Sequence, residues 1–439
     1  MNTLTFILAF FTAVVFVMRF VFGTFLKWVH PELCTVKKNY DIQPTVSILL
    51  PCYNEGSAVY SSIKSIHASD YPAEKLEIIC VDDCSVDDSL EWMLKAQKNF
   101  ENVQVHRNPR NLGKGKTILR ALSYSDSEMV ISIDSDTLFA PNTVKELMSC
   151  FVEEKIGAVG GAVGLLNVND NFITAFQAFQ YYIGFHLYKI TENWSRTVGC
   201  IAGPLFAVRR KVLLEVAPLI ENRNWFGIPV IDGEDRFLTH MICMLGYDTF
   251  VNLDAQCWTV APNTLSKYFT QQLRWRRSSL RDLFLSMRTI PEHLKLPVNA
   301  LYVFVLLPTT AFVALLYIGV MCLRNPLFFL NPDLIVAYMA VALVVALGMK
   351  KYAPEQAISN PASLAMFGVW WIINSVFLTV LACLTLDSGE WGTRTKQQIS
   401  GKGELAMVQA ERVAVTIIPE RPLIGTAHEK IEENANPVL

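Results

Sequence analysis

Hydrophobic and polar positions divide this chain into a soluble part flanked by membrane-like segments. The first apolar run, roughly Leu4 to Phe25, has about 20 residues, which is enough to span a bilayer, and it lacks the small-residue cleavage site of a signal peptide. Three further apolar runs follow in the last third, at Val298–Leu323, Leu334–Met349 and Leu364–Leu386. We therefore predict an N-terminal anchor and a C-terminal group of membrane or interfacial helices.

Between the anchor and the late runs, short apolar segments of β character alternate with segments of helical periodicity. Strands are predicted at Val46–Leu50, Leu76–Val81, Val103–His106 and Met129–Ile133. Helices are predicted at Ala58–Ala68, Ser89–Asn99 and Lys114–Ser123. This alternation predicts an α/β fold with a mostly parallel sheet and helices on both faces. Ligands of such sheets bind beyond the carboxyl ends of the strands.

Composition and charge agree with a membrane protein. Of the 439 residues, 52% are hydrophobic and 18% are charged, which is too apolar for an ordinary soluble chain. The net charge of -2 argues against a nucleic-acid partner. The ten cysteines form no Cys-x-x-Cys pair, so they indicate neither a zinc site nor a disulfide framework. Lys27, Lys37 and Lys38 follow the first apolar run, which places the next domain in the cytoplasm.

Two acidic pairs follow two of the predicted strands. Asp82-Asp83 ends the second strand, and Asp134-Ser135-Asp136 ends the fourth. Each pair alone is compatible with a solvated turn. Because carboxyl ends of parallel strands meet at one edge of the sheet, the two pairs together predict a crevice for Mg²⁺ or Mn²⁺ and a diphosphate.

Three further segments carry candidate chemistry. Asn111–Lys116 offers flexible backbone and two lysines before a helix, which suits phosphate, although the segment also fits a surface loop. Gly233–Arg236 offers a carboxylate for general base catalysis, or simply an acidic helix start. Gln271–Arg277 places Trp275 among arginines, which suits a sugar acceptor next to a diphosphate, or a helix on anionic lipid.

Taken in order, these segments resemble the signature of the processive family 2 glycosyltransferases, in particular hyaluronan synthases and nodulation-type chitooligosaccharide synthases. The matching motifs are Pro51-Cys52-Tyr53-Asn54-Glu55, Asp82-Asp83, Asp134-Ser135-Asp136, Gly233-Glu234-Asp235 and Gln271-x-x-Arg274-Trp275. The resemblance covers about Thr45 to Arg277 and the flanking membrane segments. It implies a GT-A fold and an inverting hexosyltransferase, so that an α-linked UDP-sugar gives a β-linked product.

The resemblance assigns the donor site to four residues. Tyr53, Glu55 and Asp83 would lie at the uridine, and Lys114 would approach the nucleotide phosphates. These are expectations carried over from the family pattern.

The same resemblance assigns the catalytic and metal positions. Asp136 would ligate Mg²⁺ or Mn²⁺ on the diphosphate, with Asp134 beside it. Asp235 would be the catalytic base, with Glu234 next to it at the substrate.

On the acceptor side, the resemblance implies contacts from Gln271, Arg274 and Trp275 and from the segment that contains Cys200 and Gly203. Related synthases often carry consecutive cysteines before Gly-Pro, whereas here Ile201 follows Cys200, which puts a role for a second thiol in doubt.

Near the C-terminus, Trp391-Gly392-Thr393-Arg394 resembles a hyaluronan synthase motif that covers the bound nucleotide. A loose polar tail is its alternative reading. The motif favours the hyaluronan synthase side of the family.

The predicted organisation has five parts: an anchor and linker (1–43), a catalytic domain (44–265), interfacial helices (266–297), helices forming a polymer channel (298–386) and a polar tail (387–439). If all late runs crossed the membrane, the tail would lie outside, away from UDP. Because Arg394, Lys396 and Lys402 favour an inside tail, we expect Leu364–Leu386 to be interfacial or re-entrant.

The sequence therefore predicts a multi-pass plasma-membrane enzyme with UDP-sugar donors, a growing polysaccharide acceptor and membrane lipid as partners. UDP-GlcNAc with UDP-GlcA is the favoured donor pair. The alternatives are a chitooligosaccharide or chitin-type β-1,4-GlcNAc transferase, a transferase to polyprenyl phosphate, and a silent binding protein that kept the fold. The complete acidic set disfavours the last, because clustered carboxylates repel one another without a cation.

Overall fold

The computed structural model of the protein describes residues 29–293, 302–325, 332–358 and 374–388, together with residues 25 and 327. The predicted N-terminal anchor up to residue 24, the first half of the run Leu364–Leu386, and the tail from residue 389 lie outside the described residues.

An eight-stranded mixed sheet forms the centre of the described part. The described residues form ten strands in all: β1 (Val46–Cys52), β2 (Leu76–Asp82), β3 (Val103–Arg107), β4 (Met129–Ser132), β5 (Leu138–Phe139), β6 (Ile156–Leu165), β7 (Phe206–Arg209), β8 (Asn224–Trp225), β9 (Ile228–Pro229) and β10 (Asp248–Thr259). The sheet order is β3-β2-β1-β4-β7-β6-β10-β5, and β8 and β9 form a separate hairpin.

Helices cover both faces of the sheet and continue beyond it. They are α1 (Ala58–His67), α2 (Ser89–Asn99), α3 (Lys114–Leu122), α4 (Thr143–Met148), α5 (Phe172–Tyr182), α6 (Arg210–Glu221), α7 (Glu234–Met244), α8 (Leu265–Arg288), α9 (Leu307–Arg324), α10 (Pro332–Tyr352) and α11 (Asn374–Leu384). Short helical turns extend α5 through Ile183–Lys189 and Ile190–Glu192 and precede α9 at Tyr302–Leu306.

The central strands form because their side chains are apolar on both faces. All seven residues of β1 are buried, so this strand shows a continuous apolar run instead of an alternating one. Ile63 on α1 and Leu122 on α3 are fully buried in the same core cluster as Ile48 and Ile79. Helix packing on both faces therefore supplies the core predicted from the sequence.

The prediction of a mostly parallel sheet is confirmed for the described residues, because β6 and β10 also pair in parallel, but two strands depart from it: β5 pairs antiparallel with β10, and β7 is antiparallel to both of its neighbours. β3, β2, β1 and β4 are parallel, but β7 runs antiparallel to both β4 and β6. The reason is that β7 enters the sheet beside the carboxyl end of β4, where Phe206 pairs with Ser132. The same turn carries Gly203 and Pro204 to the edge where Asp134 emerges.

The membrane region is described in part. Among the described residues, one helical segment, Tyr302–Met321, is long and apolar enough to cross a membrane. The second late run forms α10, and the third ends in the shorter apolar helix α11. Phe304, just before α9, stacks on His240 of α7 with ring centroids 4.2 Å apart, so this segment packs directly on the sheet domain.

Candidate active site

Hydrogen bonds join the loop that follows β1 to the loop that follows β2. The backbone N–H of Asn54 donates to Ser85 Oγ at 3.0 Å, and the N–H of Glu55 donates to Ser89 Oγ at 2.8 Å. Tyr53 follows β1 directly and is buried. Tyr53 and Glu55 thus lie beside the loop that follows Asp83, as the shared uridine site would require.

Asp83 holds the lysine-containing loop in place. Its Oδ1 accepts from Asn108 Nδ2 and from the backbone N–H of Leu112, both at 2.8 Å. Its Oδ2 accepts from the backbone N–H of Gly113 at 2.9 Å. The side chain is almost fully buried, so all these bonds are shielded from water. Asp83 therefore fixes the start of α3, and its neighbour Lys114 with it.

Lys114 connects the two halves of the site. Its Nζ forms ion pairs with Asp134, which follows β4, and with Glu234 Oε1 at 3.0 Å. Burial by itself lowers the pKa of Lys114, but Asp134, Glu234 and Asp235 outweigh it and raise the pKa well above its ordinary value. The ammonium is therefore charged at every physiological pH and holds three carboxylates around it.

Two helix N-termini converge at this lysine. α3 begins at Lys114 after Gly113 (φ +83°), and α7 begins at Glu234 after Gly233 (φ +69°). A Cβ on Gly115 would lie 3.6 Å from Cβ of Glu234, so the two first turns touch. Helix N-termini present free N–H groups and positive dipole ends, and together with a lysine they suit a diphosphate.

Asp235 lies against the turn before β7. Its Oδ2 accepts from the backbone N–H of Gly203 at 3.1 Å, and Oδ1 accepts from the N–H of Arg236 at 2.8 Å. Burial by itself raises the pKa of Asp235, but Lys114 and the Arg236 backbone and side chain outweigh it and hold the pKa below the ordinary value of an aspartate. Asp235 is thus an ionised carboxylate at neutral pH.

Asp136 is another half-buried carboxylate of the site, and its environment differs from that of Asp235. Thr259 Oγ1, near the end of β10, donates to Oδ2 of Asp136 at 3.1 Å. Burial and the neighbouring Asp134 raise the pKa of Asp136 to about 6. A cation at this position would stabilise the ionised form of Asp136.

The carboxylates of the site could hold a divalent metal only together with oxygen atoms of the substrate. Within the described ranges, no group of three or more His, Cys, Asp or Glu side chains forms a cation site by itself. Mg²⁺ is commonly held by one or two carboxylates together with substrate phosphates, and Asp136 beside Asp134 matches that pattern.

Tyr181, which the sequence analysis did not identify, lies near Trp275 of α8 and is affected by the charges of Asp134 and Asp136. Tyr181 of α5 lies 6.2 Å from Trp275 between ring centroids. Burial first, and then the charges of Asp134 and Asp136, raise the pKa of Tyr181, while Arg274 opposes the rise. Tyr181 therefore stands between the Trp motif and the predicted metal position. No spacing signal marks it, because it lies in a helix of apolar and aromatic residues.

The other predicted acceptor residues lie on the same side. Cys200 neighbours Arg236 and Asp235, and burial chiefly raises the pKa of its thiol, so it is not a reactive thiolate. Gln271 lies one turn before Trp275 on α8, where its Oε1 accepts from Gln272 Nε2 at 3.4 Å. A Cβ on Gly203 would lie 2.8 Å from Lys114 Nζ, so this glycine leaves room for the lysine.

The Trp391–Arg394 motif lies outside the described residues, and its role stays a prediction. Three residues before the motif, the backbone carbonyl of Ser388 accepts a hydrogen bond from Arg281 Nη2 of α8 at 2.7 Å. The last described residues therefore lie against α8, the helix that carries Trp275.

Residues 47–216 match the model for glycosyl transferase family 2. A hyaluronan synthase of Streptococcus pyogenes is 29% identical over 367 residues, which cover 81% of this chain and 84% of that protein. An N-acetylglucosaminyltransferase of Mesorhizobium japonicum is 30% identical over 249 residues, covering 56% and 58% of the two chains.

Among solved structures, the mannosyltransferase PcManGT from Pyrobaculum calidifontis, in complex with GDP-Man and Mn²⁺, superposes with a TM-score of 0.57 at 17% identity, covering 86% of this chain and 99% of that one. At that identity the likeness establishes the fold alone, a GT-A-like Rossmann-type α/β architecture.

Proposed function

We propose that this chain, whose residues 47–216 match the glycosyl transferase family 2 model, is a membrane-integrated, processive, inverting hexosyltransferase that polymerises UDP-sugars. The observation that carries the proposal is the cluster in which Lys114 joins Asp134 to Glu234, with Asp235 and Gly203 in contact beside it. One charged cluster thus combines a phosphate-binding cation with a shielded carboxylate base.

In the proposed site the donor diphosphate lies at the two helix N-termini, next to Lys114. Asp136, with Asp134 beside it, would hold Mg²⁺ or Mn²⁺, which when bound supplies positive charge to the diphosphate oxygens. The uridine would lie near Tyr53 and Glu55, where the loops after β1 and β2 meet.

Asp235 is the proposed base. The acceptor hydroxyl loses its proton to an Asp235 carboxylate oxygen while its oxygen bonds to the anomeric carbon, and the bond from that carbon to the diphosphate oxygen breaks, releasing UDP. The attack comes from the face opposite the leaving group, so an α-linked donor gives a β-linked product. The depressed pKa keeps Asp235 ionised and ready to accept the proton.

The acceptor chain would end at Trp275. Its indole is 40% exposed, so a ring face is available to stack on the C–H face of a sugar. Arg274 and Gln271 lie on the same helix, where they would contact the diphosphate and the acceptor. This arrangement favours transfer to a sugar chain over transfer to polyprenyl phosphate.

Membrane integration is supported by the Tyr302–Met321 helix and by its packing on the catalytic domain through Phe304. The contact of residues 386 and 388 with Arg281 supports a tail on the catalytic side of the membrane, as our interfacial assignment of the last apolar run requires. The helices after residue 298 are the proposed path for the product.

Hyaluronan is the favoured product, because the streptococcal relative that spans most of both chains is a hyaluronan synthase. The test is incubation of the purified full chain with UDP-GlcNAc and UDP-GlcA, followed by product sizing and hyaluronidase digestion. We expect a long digestible polymer only when both donors are present. Oligomers from UDP-GlcNAc alone would favour the chitooligosaccharide type instead, and a lipid-extractable single sugar would refute processive synthesis.

The base assignment has its own test. Asp235→Asn is expected to abolish transfer while leaving UDP binding largely intact, because the amide cannot accept the proton. Asp126→Asn, an exposed carboxylate remote from Lys114, is the matched control and keeps wild-type transfer. Transfer retained in Asp235→Asn would exclude Asp235 as the base.

A further inference from the structure

Arg281 of α8 lies where three segments of the protein meet. Its Nη1 donates to Asp232 Oδ1 at 2.6 Å. Its Nε and Nη2 donate to the carbonyl of Leu386 at 3.2 and 3.0 Å, and Nη2 also donates to the carbonyl of Ser388 at 2.7 Å. The guanidinium is 4% exposed and Asp232 is 1% exposed, so water does not weaken these bonds.

The first of the three segments is the start of the helix that carries Asp235. Asp232 precedes α7 by two residues, and its carbonyl accepts from Arg223 Nη1 at 2.6 Å. A Cβ on Gly233 would lie 2.6 Å from Cβ of Ser278, so the first turn of α7 is pressed against α8. The Arg281 ion pair therefore fixes the position from which Asp235 projects.

The second segment is α8 itself, and the third is the chain that follows α11. One turn before Arg281, Arg277 Nε donates to Thr385 Oγ1 at 3.0 Å. Two arginines on one face of α8 thus hold residues 385 to 388. The planar fork of arginine can bond a carboxylate and two carbonyls at once, whereas a lysine ammonium is a single point donor on a flexible stem.

We propose that Arg281 is a positioning residue that couples the docking of residues 385–388 to the placement of Asp235. The proposal rests on the role of Asp235 given under Proposed function. Because one guanidinium makes both sets of contacts, displacement of the 385–388 segment moves the group that orients Asp232.

Three variants separate coupling from simple stability. Arg281→Lys keeps the charge opposite Asp232 but cannot reach both carbonyls. Thr385→Val removes the Arg277 contact and the bond from Thr385 Oγ1 to the carbonyl of Leu381, and it leaves the Asp232 pair intact. Arg288→Lys, an exposed arginine on the same helix, is the matched control.

We expect Arg281→Lys, assayed well below its thermal midpoint, to lower kcat for sugar transfer by roughly 100-fold, the scale of a misplaced catalytic group, with the donor KM close to wild type. Thr385→Val should lower kcat in the same sense but less. Hydrogen exchange should accelerate together at the amides of residues 233–236 and 386–388 in both variants, while α2 and the Arg288→Lys control stay unchanged.

Unchanged kcat in Arg281→Lys would overturn the proposal, as would faster exchange at residues 386–388 without any change at 233–236. A loss of kcat that merely follows a lowered thermal midpoint would assign Arg281 to the fold alone. The role of Asp235 as the base is tested separately, by Asp235→Asn. If that variant remains active, the proposed function fails. The hydrogen-exchange rates of the Arg281→Lys variant would still show whether residues 233–236 and 386–388 are coupled.

Discussion

Replacing Asp83 with asparagine tests whether this carboxylate reads the uridine or holds the loop that presents Lys114. In the structure both carboxylate oxygens accept hydrogen bonds from the loop, from Asn108, Leu112 and Gly113 at 2.8 to 2.9 Å. The asparagine amide keeps one oxygen acceptor and turns an N–H₂ group toward a backbone N–H. The substitution therefore removes a charge-assisted bond and places two donors face to face.

The magnitude follows from those contacts. Hydrogen bonds to a charged group contribute about 1.5 to 3 kcal/mol each, and neutral ones about 0.5 to 1.5 kcal/mol. Losing the Gly113 bond and weakening the other two costs about 3 kcal/mol if the loop keeps its place. The loop can move away from the amide, so we expect part of this cost to appear as displacement of Lys114 instead of lost stability.

The assay is competitive inhibition of sugar transfer by uridine, UDP and inorganic pyrophosphate. If Asp83 acts through the loop, the inhibition constants of UDP and pyrophosphate rise together by about tenfold, equivalent to 1.4 kcal/mol, while that of uridine stays unchanged. Asp126→Asn is the control for charge removal at an exposed site. A rise for uridine and UDP with pyrophosphate unaffected would refute the loop role and return Asp83 to the base-recognition role that the family resemblance implies.

Three further outcomes are expected. Gly203→Ala should lower kcat more than stability, measured by steady-state kinetics and thermal unfolding, because its Cβ would lie 2.8 Å from Lys114 Nζ and displace the ammonium; wild-type kcat would contradict this. Trp275→Ala should raise the KM of an oligosaccharide acceptor several-fold while changing the free energy of unfolding by less than about 1 kcal/mol, since the indole is partly exposed; an unchanged acceptor KM would rule out stacking. Removing divalent cations with a chelator should abolish UDP binding measured by calorimetry, because Asp134 and Asp136 then repel the diphosphate; full binding in chelator would count against a metal site here.

The first half of the fold was predictable because its strands are continuous apolar runs. The predicted strand Leu76–Val81 differs from β2 by one residue at its end, and the predicted helix Ser89–Asn99 is confirmed without change. Each of these elements buries a face that its own sequence pattern reveals.

The second half was not predictable from local pattern. β6 contains four glycines, which normally weaken a strand, and at Gly161 a side chain would collide with the backbone of Ala255 in β10. Its strand conformation depends on the partner strand and not on its own propensity. β7 is four residues long, so its antiparallel placement between β4 and β6 also follows from tertiary pairing.

For the candidate site, motifs located the charged residues but not the groups that connect them. Glycine, aspartate and lysine clusters after strands identify Lys114, Asp134 and Asp235 in advance. Tyr181, Thr259 and Arg281 belong to no such cluster, because each acts on a partner more than 40 residues away in the chain and becomes visible only when helix and strand ends are assembled.

The two half-buried aspartates of the site show what the assembly of helix and strand ends adds chemically. Asp235 and Asp136 lie in one crevice, yet their pKa values move in opposite directions. Lys114 and Arg236 surround Asp235 and outweigh its burial, whereas Asp136 faces the like charge of Asp134. Environments that drive paired carboxylates apart separate their tasks. The charges around Asp235 keep it ionised, whereas at Asp136 the effect of Lys114 is smaller than that of burial and Asp134, so a cation arriving with the donor diphosphate would stabilise the ionised form of Asp136.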